Sequence, residues 1–165
     1  WMIVNAFGIS ITTFVGQNYG AGKIKRAKKG VTECLIMTLF SALLLASLYL
    51  SFGRYGFMLF ASDEAVVEIG MRILNTIAPV FLVYVPIEIY SGALRGAGKT
   101  VVPTLFTVFG ICGTRIIWLS TPIGSASIER VMLSYAISWT LVSLLFIIYY
   151  YSTDVFGEKT QKSSL

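Results

Sequence analysis

The sequence has no histidine, only two cysteines and few charged residues. Without histidine there is no imidazole to act as a general base or metal ligand, which excludes a His-based catalytic triad and argues against a zinc site. Cys34 and Cys112 both lie within apolar runs. We interpret them as small apolar side chains, so no disulfide framework is expected. No nucleophile–base pair stands out, and the chain is not expected to be an enzyme or to hold a cofactor.

Apolar residues are present in large excess. Hydrophobic residues make up 56% of the chain and charged residues 13%, with a mean hydropathy of +0.77, whereas a soluble domain carries about 25% charged residues. A helix of about 20 apolar residues crosses a bilayer core roughly 30 Å thick. The pattern therefore predicts an all-α, polytopic transmembrane bundle with five spanning helices, followed by a polar tail over 154–165. The predicted spans cover 1–20, 32–52, 72–94, 100–122 and 131–153.

Basic residues are concentrated in alternate breaks between these spans. Lys and Arg favour the cytoplasmic side of a membrane, so the basic loop 22–31, the loop 95–99 and the tail 154–165 are predicted to be cytoplasmic, the tail as a frayed terminus. The other breaks, Gly53–Arg72 and Gly124–Arg130, mix acids with bases and should face outward. We expect a multi-pass protein of the cell membrane. The first loop contacts anionic lipid and not nucleic acid in this interpretation; its cations are Lys23, Lys25, Arg26, Lys28 and Lys29.

One short phrase occurs twice, as Gly20-Ala-Gly-Lys23 and Gly96-Ala-Gly-Lys99. Its glycines suit a left-handed residue at a helix C-terminus followed by a tight turn. The second copy is close to a phosphate-binding loop, but Ala93 replaces the first required glycine and a membrane helix precedes it instead of a strand. Nucleotide binding is therefore not expected, and an ion gradient is the expected energy source for any transport.

Glu88 and Arg115 lie within predicted spans, where a charge costs from about 3 kcal/mol upward and usually faces a bundle interior or an aqueous cavity. Around Glu88 a polar stripe repeats at intervals of four, three and four, which places its members on one helix face. Two prolines in the same span can bend the helix or free carbonyl oxygens. A cation or proton site and a structurally paired acid are equally compatible with this pattern. The stripe is Tyr84, Glu88, Ser91 and Arg95, and the prolines are Pro79 and Pro86.

Arg115 lies roughly 6 Å to the outer side of the centre of its span, and Glu88 is displaced inward by a similar distance, at about 1.5 Å per residue. A direct ion pair between them is not assumed. Arg115 can instead reach an outer cavity, bind a carbonyl at a helix end or snorkel beside Trp118. A structural role is favoured.

These residues resemble the multidrug and toxic compound extrusion (MATE) transporters. The resemblance is carried by Val15-Gly-Gln-Asn-Tyr-Gly-Ala-Gly-Lys23, followed by Lys25-Arg-Ala27, and by Ser91-Gly-Ala-Leu-Arg-Gly-Ala-Gly-Lys-Thr100 with Pro103. The family has a glycine-rich basic loop after the second helix of a six-helix lobe and an Arg-Gly-x-Gly turn after the fourth. Residues 1–153 then correspond to helices two to six of one lobe, without the first helix, and the polar tail implies the C-terminal lobe.

The resemblance also implies candidate site residues. Some family members carry an acid on the first lobe helix, which this chain lacks, and another on the fourth, where Tyr84 stands here. Glu88 on the same face can replace that acid. Asn5 on the second lobe helix is a further polar candidate, or a hydrogen-bonding residue between helices. The candidates for substrate or cation binding are therefore Glu88, Tyr84, Asn5 and Arg115.

By this resemblance the expected function is antiport of H⁺ or Na⁺ against organic, often cationic, drugs. The expected partners are the small organic substrate, the lipid bilayer, and the missing helix and second lobe of a two-lobe transporter. No resident cofactor or metal is expected. Two alternatives stay open: a flippase for a lipid-linked oligosaccharide, which a basic cavity would favour, and an accessory membrane subunit that does not itself transport.

Overall fold

The described part of the chain, residues 1–122 and 127–157 of a computed structural model, contains helices and no strand. This confirms the predicted all-α bundle. Predictions that fall on 123–126 and 158–165, parts of the last break and of the tail, lie outside the described residues. In chain order the helices are α1 (Met2–Gly20), α2 (Ile24–Met58), α3 (Glu64–Gly96), α4 (Val101–Leu119) and α5 (Ile128–Ser152).

Four of these helices, α2 to α5, are long and apolar enough to cross a membrane. Helix α1 coincides with the first predicted span and has 19 residues, as many as α4, but Asn5, Gln17 and Asn18 reduce its hydropathy. Its crossing of the bilayer stays a prediction. Large apolar side chains on the outside of the bundle, including Phe40 (69% exposed) and Phe109 (70%), are suited to contact with lipid. The protein is a multi-pass membrane protein.

Two helices are longer than predicted. Helix α2 has 35 residues and begins at Ile24, so most of the predicted basic loop 22–31 is the first turns of a helix. Lys and Arg are good helix formers, and hydropathy marks only the part of a helix that lies in lipid. Helix α3 has 33 residues and begins after Asp63, whose carboxylate accepts a hydrogen bond from the Ala65 amide at 2.9 Å.

The repeated Gly-Ala-Gly-Lys phrase forms the same turn in both places, as the sequence predicts. Gly22 and Gly98 have positive φ values of 70° and 79°. The Lys23 amide donates to the Asn18 carbonyl at 2.8 Å and the Lys99 amide donates to the Leu94 carbonyl at 2.9 Å. These are the six-to-one hydrogen bonds of a Schellman motif, which reverses the chain after a helix.

Helix α3 is the centre of the bundle and packs against α1, α2 and α5. Small residues allow the α1 and α3 backbones to approach closely. A Cβ at Gly92 would lie 2.7 Å from the Gly8 carbonyl oxygen, and one at Gly96 would lie 2.5 Å from that of Thr12. Gly92 and Gly96 form a Gly-x-x-x-Gly pair, a common device of membrane helix packing.

Helix α4 is not a regular α-helix. Its middle, Phe106–Gly113, is a π-helix, a conformation found mostly as short bulges at functional sites. Gly110 in this segment faces α5, where an added Cβ would overlap the Val142 side chain. The widened turns and the missing side chain together bring α4 against α5.

Residues 153–157 pack against the basic end of the bundle, so the predicted frayed terminus is wrong for this part of the tail. Val155 and Phe156 are each 2% exposed. The Phe156 ring lies 6.1 Å from the rings of both Tyr19 and Tyr150. Burial of these two apolar side chains holds the segment against the helices. A prediction based on the overall polarity of the tail does not take them into account. We call residues 153–157 the C-terminal strap.

Polar contacts hold the strap in place. The Lys28 ammonium lies 3.4 Å from the Asp154 carboxylate, and Lys99 donates to the Asp154 carbonyl at 3.4 Å. The strap thereby joins α2 and the turn after α3 to the end of α5. At the opposite end of the bundle, Arg72 and Glu129 lie 3.7 Å apart, in agreement with the mixed charges of the predicted outer breaks.

Candidate functional site

Glu88 lies inside the helix bundle, where it is 9% exposed. It projects from α3 toward Gly8 of α1, and a Cβ at Gly8 would lie 2.5 Å from Glu88 Oε1. The absent side chain of Gly8 therefore provides the space that the carboxylate occupies. A carboxylate in this position has lost most of its water and needs polar partners from the protein.

Those partners come from the same helix face. The Tyr84 hydroxyl donates to Glu88 Oε2 at 2.8 Å, and Arg95 Nη2 lies 3.7 Å from Oε1. The Ser91 hydroxyl donates to the Glu88 backbone carbonyl at 3.1 Å. The structure thus brings the predicted polar stripe together around one carboxylate, and Arg95 is the arginine that pairs with Glu88.

Pro86 lies two residues before Glu88, within α3, and Pro79 lies two turns earlier. Because proline has no backbone N–H, Pro86 cannot donate the helical hydrogen bond to the carbonyl of Leu82. Leu82 is two residues before Tyr84, about 200° around the helix, so this carbonyl lies on the side of α3 away from the Tyr84 and Glu88 side chains. The oxygen atoms that could contact a small cation here are those of the Glu88 carboxylate and the Tyr84 phenol.

Arg115 contacts aromatic rings of α5. Its guanidinium carbon lies 3.9 Å from the centroid of Tyr135 and 5.9 Å from that of Trp139, and its Nε donates to the Ser138 hydroxyl at 3.3 Å. The predicted neighbour Trp118 instead donates to the carbonyl of Arg130 at 2.9 Å. Arg115 thus packs on ring faces of α5, contacts that the sequence did not predict, and its snorkelling beside Trp118 stays a prediction.

An aromatic cluster connects the Glu88 and Arg115 groups. Trp139 lies 5.2 Å from Tyr84 and 5.4 Å from Tyr135, centroid to centroid, and Phe81 lies 6.1 Å from Trp139. The two charged groups, which no sequence argument joined, are thus parts of one continuous site between α3, α4 and α5.

Sequence reasoning missed Gly8, Tyr135, Ser138 and Trp139. The spacing of Tyr135, Ser138 and Trp139, at i, i+3 and i+4, is the one available signal, since it places all three on one helix face. Asn5 lies half-buried on α1. Within residues 1–122 and 127–157 its side chain makes no hydrogen bond to the Glu88 group, and its role in the site stays a prediction.

The described residues contain no cluster of three or more histidine, cysteine, aspartate or glutamate side chains. The ionisable groups at the site are the Glu88 carboxylate, the Tyr84 phenol, and the arginines at 95 and 115. Such a set can exchange a proton or a monovalent cation on one carboxylate and can contact an organic cation through ring faces.

A buried carboxylate with a phenol and a cation beside it, enclosed by long apolar helices, defines a polytopic membrane protein with an ionisable site inside its bundle. The family model named MatE matches residues 1–121, a range that includes α1 to α4 and most of the site. The chain therefore belongs to the MatE family, and the resemblance found in its two glycine-rich phrases is confirmed.

Curated relatives of the chain have names that refer to multidrug resistance or extrusion. The chain is 24% identical over 111 residues to the "Probable multidrug resistance protein YoeA" of Bacillus subtilis, a match that covers 67% of this chain and 24% of the relative. It is 29% identical over 104 residues to the "Multidrug and toxin extrusion protein 2" of Oryctolagus cuniculus, covering 60% and 16% respectively. The chain thus spans less than a quarter of the length of these relatives. No solved structure gives a significant match.

Proposed function

We propose that this chain forms the ion-coupling part of a secondary transporter that exchanges H⁺ or Na⁺ for small organic, often cationic, compounds. Family membership and the names of the relatives support the class of transporter. The observation that carries the coupling role is Glu88, a carboxylate 9% exposed inside an apolar bundle. Burying a carboxylate inside a membrane protein costs free energy, and such residues usually mark functional sites.

In the proposed mechanism Glu88 alternates between an ion-bound state and an ion-free state. With H⁺ or Na⁺ bound, the carboxylate is neutralised. When the ion leaves, Tyr84 and Arg95 stabilise the bare carboxylate, through the hydrogen bond at 2.8 Å and the ion pair at 3.7 Å. Because an organic cation and the coupling ion compete for the same negative charge, binding of one favours release of the other. Competition of this kind is what antiport requires.

Proposed sidedness follows the charges. The basic end, with the first turns of α2, the turn after α3 and the C-terminal strap, faces the cytoplasm. The apolar outer faces meet lipid and the further helices of a two-lobe transporter. Those helices are the proposed partners of this bundle.

Cationic cargo is favoured over the anionic cargo of a lipid-linked oligosaccharide flippase. An anionic cargo needs cations free to bind it. Here Arg95 faces Glu88 and Arg115 lies over the Tyr135 ring. The site also holds the Glu88 carboxylate and several aromatic rings, and both kinds of group attract cations.

The test uses ethidium as the organic cation, in membrane vesicles from cells that express the protein as it naturally occurs. Wild-type vesicles should move ethidium when a pH or Na⁺ gradient is imposed. In Glu88→Gln this gradient-driven rate should fall by about tenfold or more, since a hydrogen bond to a charged group contributes about 1.5–3 kcal/mol.

Glu68→Gln is the matched control, because Glu68 lies on the same helix but is exposed. It should transport like the wild type. Gradient-driven transport that persists unchanged in Glu88→Gln would contradict the coupling role.

A further inference from the structure

The Arg115 guanidinium lies on aromatic rings that could also bind the cationic group of a ligand. Its guanidinium carbon is 3.9 Å from the Tyr135 centroid and 5.9 Å from the Trp139 centroid, within the distance of about 6 Å at which a cation is attracted to a ring face. The two rings are nearly perpendicular, at 84°. Together they form a corner with one face already covered by a planar cation.

Among the residues that the structure describes, the guanidinium is held there without a carboxylate partner. In the described part of the chain Arg115 forms no ion pair, and its hydrogen bond to Ser138 is long for a charged donor, at 3.3 Å. Both Arg115 and Tyr135 are half-buried. An arginine without a carboxylate partner can leave a ring face more cheaply than one held by a bidentate ion pair.

We infer that the ring faces of Tyr135 and Trp139 form the subsite for the cationic group of the substrate, and that Arg115 fills this subsite while no substrate is bound. This inference rests on the proposed function and specifies where its cargo binds. A planar aromatic cation stacks on the same faces as the guanidinium, so substrate and Arg115 exclude each other. The Arg115 side chain moves aside when the substrate enters.

The subsite is also connected to the proposed coupling residue. Trp139 touches Tyr84, at 5.2 Å between centroids, and the Tyr84 hydroxyl donates to Glu88 at 2.8 Å. A substrate that shifts Trp139 therefore acts on the hydrogen bond that stabilises the bare carboxylate. Two contacts separate the cargo from the exchanging ion.

The test measures the dissociation constant of ethidium by equilibrium dialysis against the purified, naturally occurring protein. Arg115→Gln removes the internal competitor and should tighten binding about 5-fold to 30-fold, the factor equivalent to one desolvated cation–π contact. Arg115→Lys keeps the charge but stacks less well and should tighten binding to a smaller extent. Tyr135→Leu and Trp139→Leu should weaken binding by a similar factor.

Two controls isolate the subsite. Arg54→Gln removes an exposed arginine at another place and Tyr55→Leu removes an exposed ring, and both should bind ethidium like the wild type. Tightening in Arg115→Gln cannot come from misfolding. Equal or weaker binding in that variant, or unchanged binding in both leucine variants, would overturn the inference.

The outcome also separates this inference from the proposed function. If Glu88→Gln abolishes gradient-driven transport while Arg115→Gln fails to tighten binding, the subsite alone is wrong. If the wild-type protein binds no ethidium, the proposed cargo class is wrong and the subsite is rejected with it.

Discussion

A carboxylate inside a membrane bundle is stable only where other groups replace the water that it has lost. At Glu88 those groups are a phenol and a guanidinium from its own helix, together with the space left by Gly8. The contacts within α3 could be predicted, because helical periodicity alone places Tyr84, Ser91 and Arg95 beside Glu88. Gly8 comes from another helix, and nothing in a single sequence relates its position to that of Glu88.

Arg115 is a stronger example of contacts between helices that a single sequence does not predict. Its position within a span identified it as unusual, but its true neighbours, Tyr135, Ser138 and Trp139, lie about one helix further along the chain. Which helix faces belong together is decided by packing, and hydropathy gives no information about it. The site could therefore be found in part, as two charged residues, and not as one connected cluster.

At the residue scale, Tyr84→Phe should tighten binding of the coupling ion, because it removes a hydrogen bond that stabilises the ion-free carboxylate. The substitution deletes the 2.8 Å hydrogen bond to Glu88 and keeps the ring that contacts Trp139. A hydrogen bond to a charged group contributes about 1.5–3 kcal/mol, so the half-maximal concentration of the coupling ion should fall by about tenfold or more. Ethidium binding in the absence of that ion should stay nearly unchanged. An ion dependence identical to that of the wild type would contradict the role of the hydroxyl, and Tyr55→Phe serves as the control.

At the scale of helices, the presence of each helix and their order along the chain could be predicted far better than the residues at which they begin and end. Apolar runs identified α2, α3, α4 and α5, but the first turns of α2 are basic and hydropathy interpreted them as a loop. The π-helix Phe106–Gly113 could not be predicted either, because the pattern of apolar residues does not distinguish it from an α-helix. The Gly-x-x-x-Gly pair at 92 and 96 was visible in the sequence and indicates close helix packing.

The close contact between α1 and α3 predicts that Gly92→Ala destabilises the bundle. The added Cβ would lie 2.7 Å from the Gly8 carbonyl oxygen, so the helices must separate at a cost of about 1–3 kcal/mol. Gly56→Ala is the control, because a Cβ there meets nothing within 4 Å. Thermal unfolding in detergent should show a lower midpoint for Gly92→Ala and an equal or higher one for Gly56→Ala. Equal midpoints for Gly92→Ala and the wild type would show that α1 and α3 do not pack in this way.

At the scale of the whole molecule, the C-terminal strap ties the basic end together through contacts far apart in sequence. Phe156 touches α1 through Tyr19, Lys28 of α2 approaches Asp154, and Lys99 reaches the strap from the turn after α3. Overall polarity identified this segment as a tail, since two apolar residues change its average very little. Only their burial shows that it belongs to the bundle.

Phe156→Ala should release the strap. Truncating a fully buried phenylalanine costs about 3–5 kcal/mol in a protein core, and we expect about 3 kcal/mol because the strap can detach without unfolding the helices. Protease cleavage after residue 152 should become faster in detergent. Phe60→Ala, which truncates a side chain that is 93% exposed, should leave cleavage unchanged, and Asp154→Asn should have a small effect because its ion pair is exposed. Equal cleavage of Phe156→Ala and the wild type would contradict the packing of the strap.

Competition between the coupling ion and the organic cation tests the central claim most directly. The measurement is the ethidium dissociation constant of the purified, naturally occurring protein, taken over a range of pH and separately over a range of Na⁺ concentration. In the wild type one of the two ions should weaken ethidium binding progressively, and Glu88→Gln should abolish that dependence while Glu68→Gln preserves it. An affinity that is independent of both ions in the wild type, or an ion dependence that survives in Glu88→Gln, would contradict coupling through Glu88.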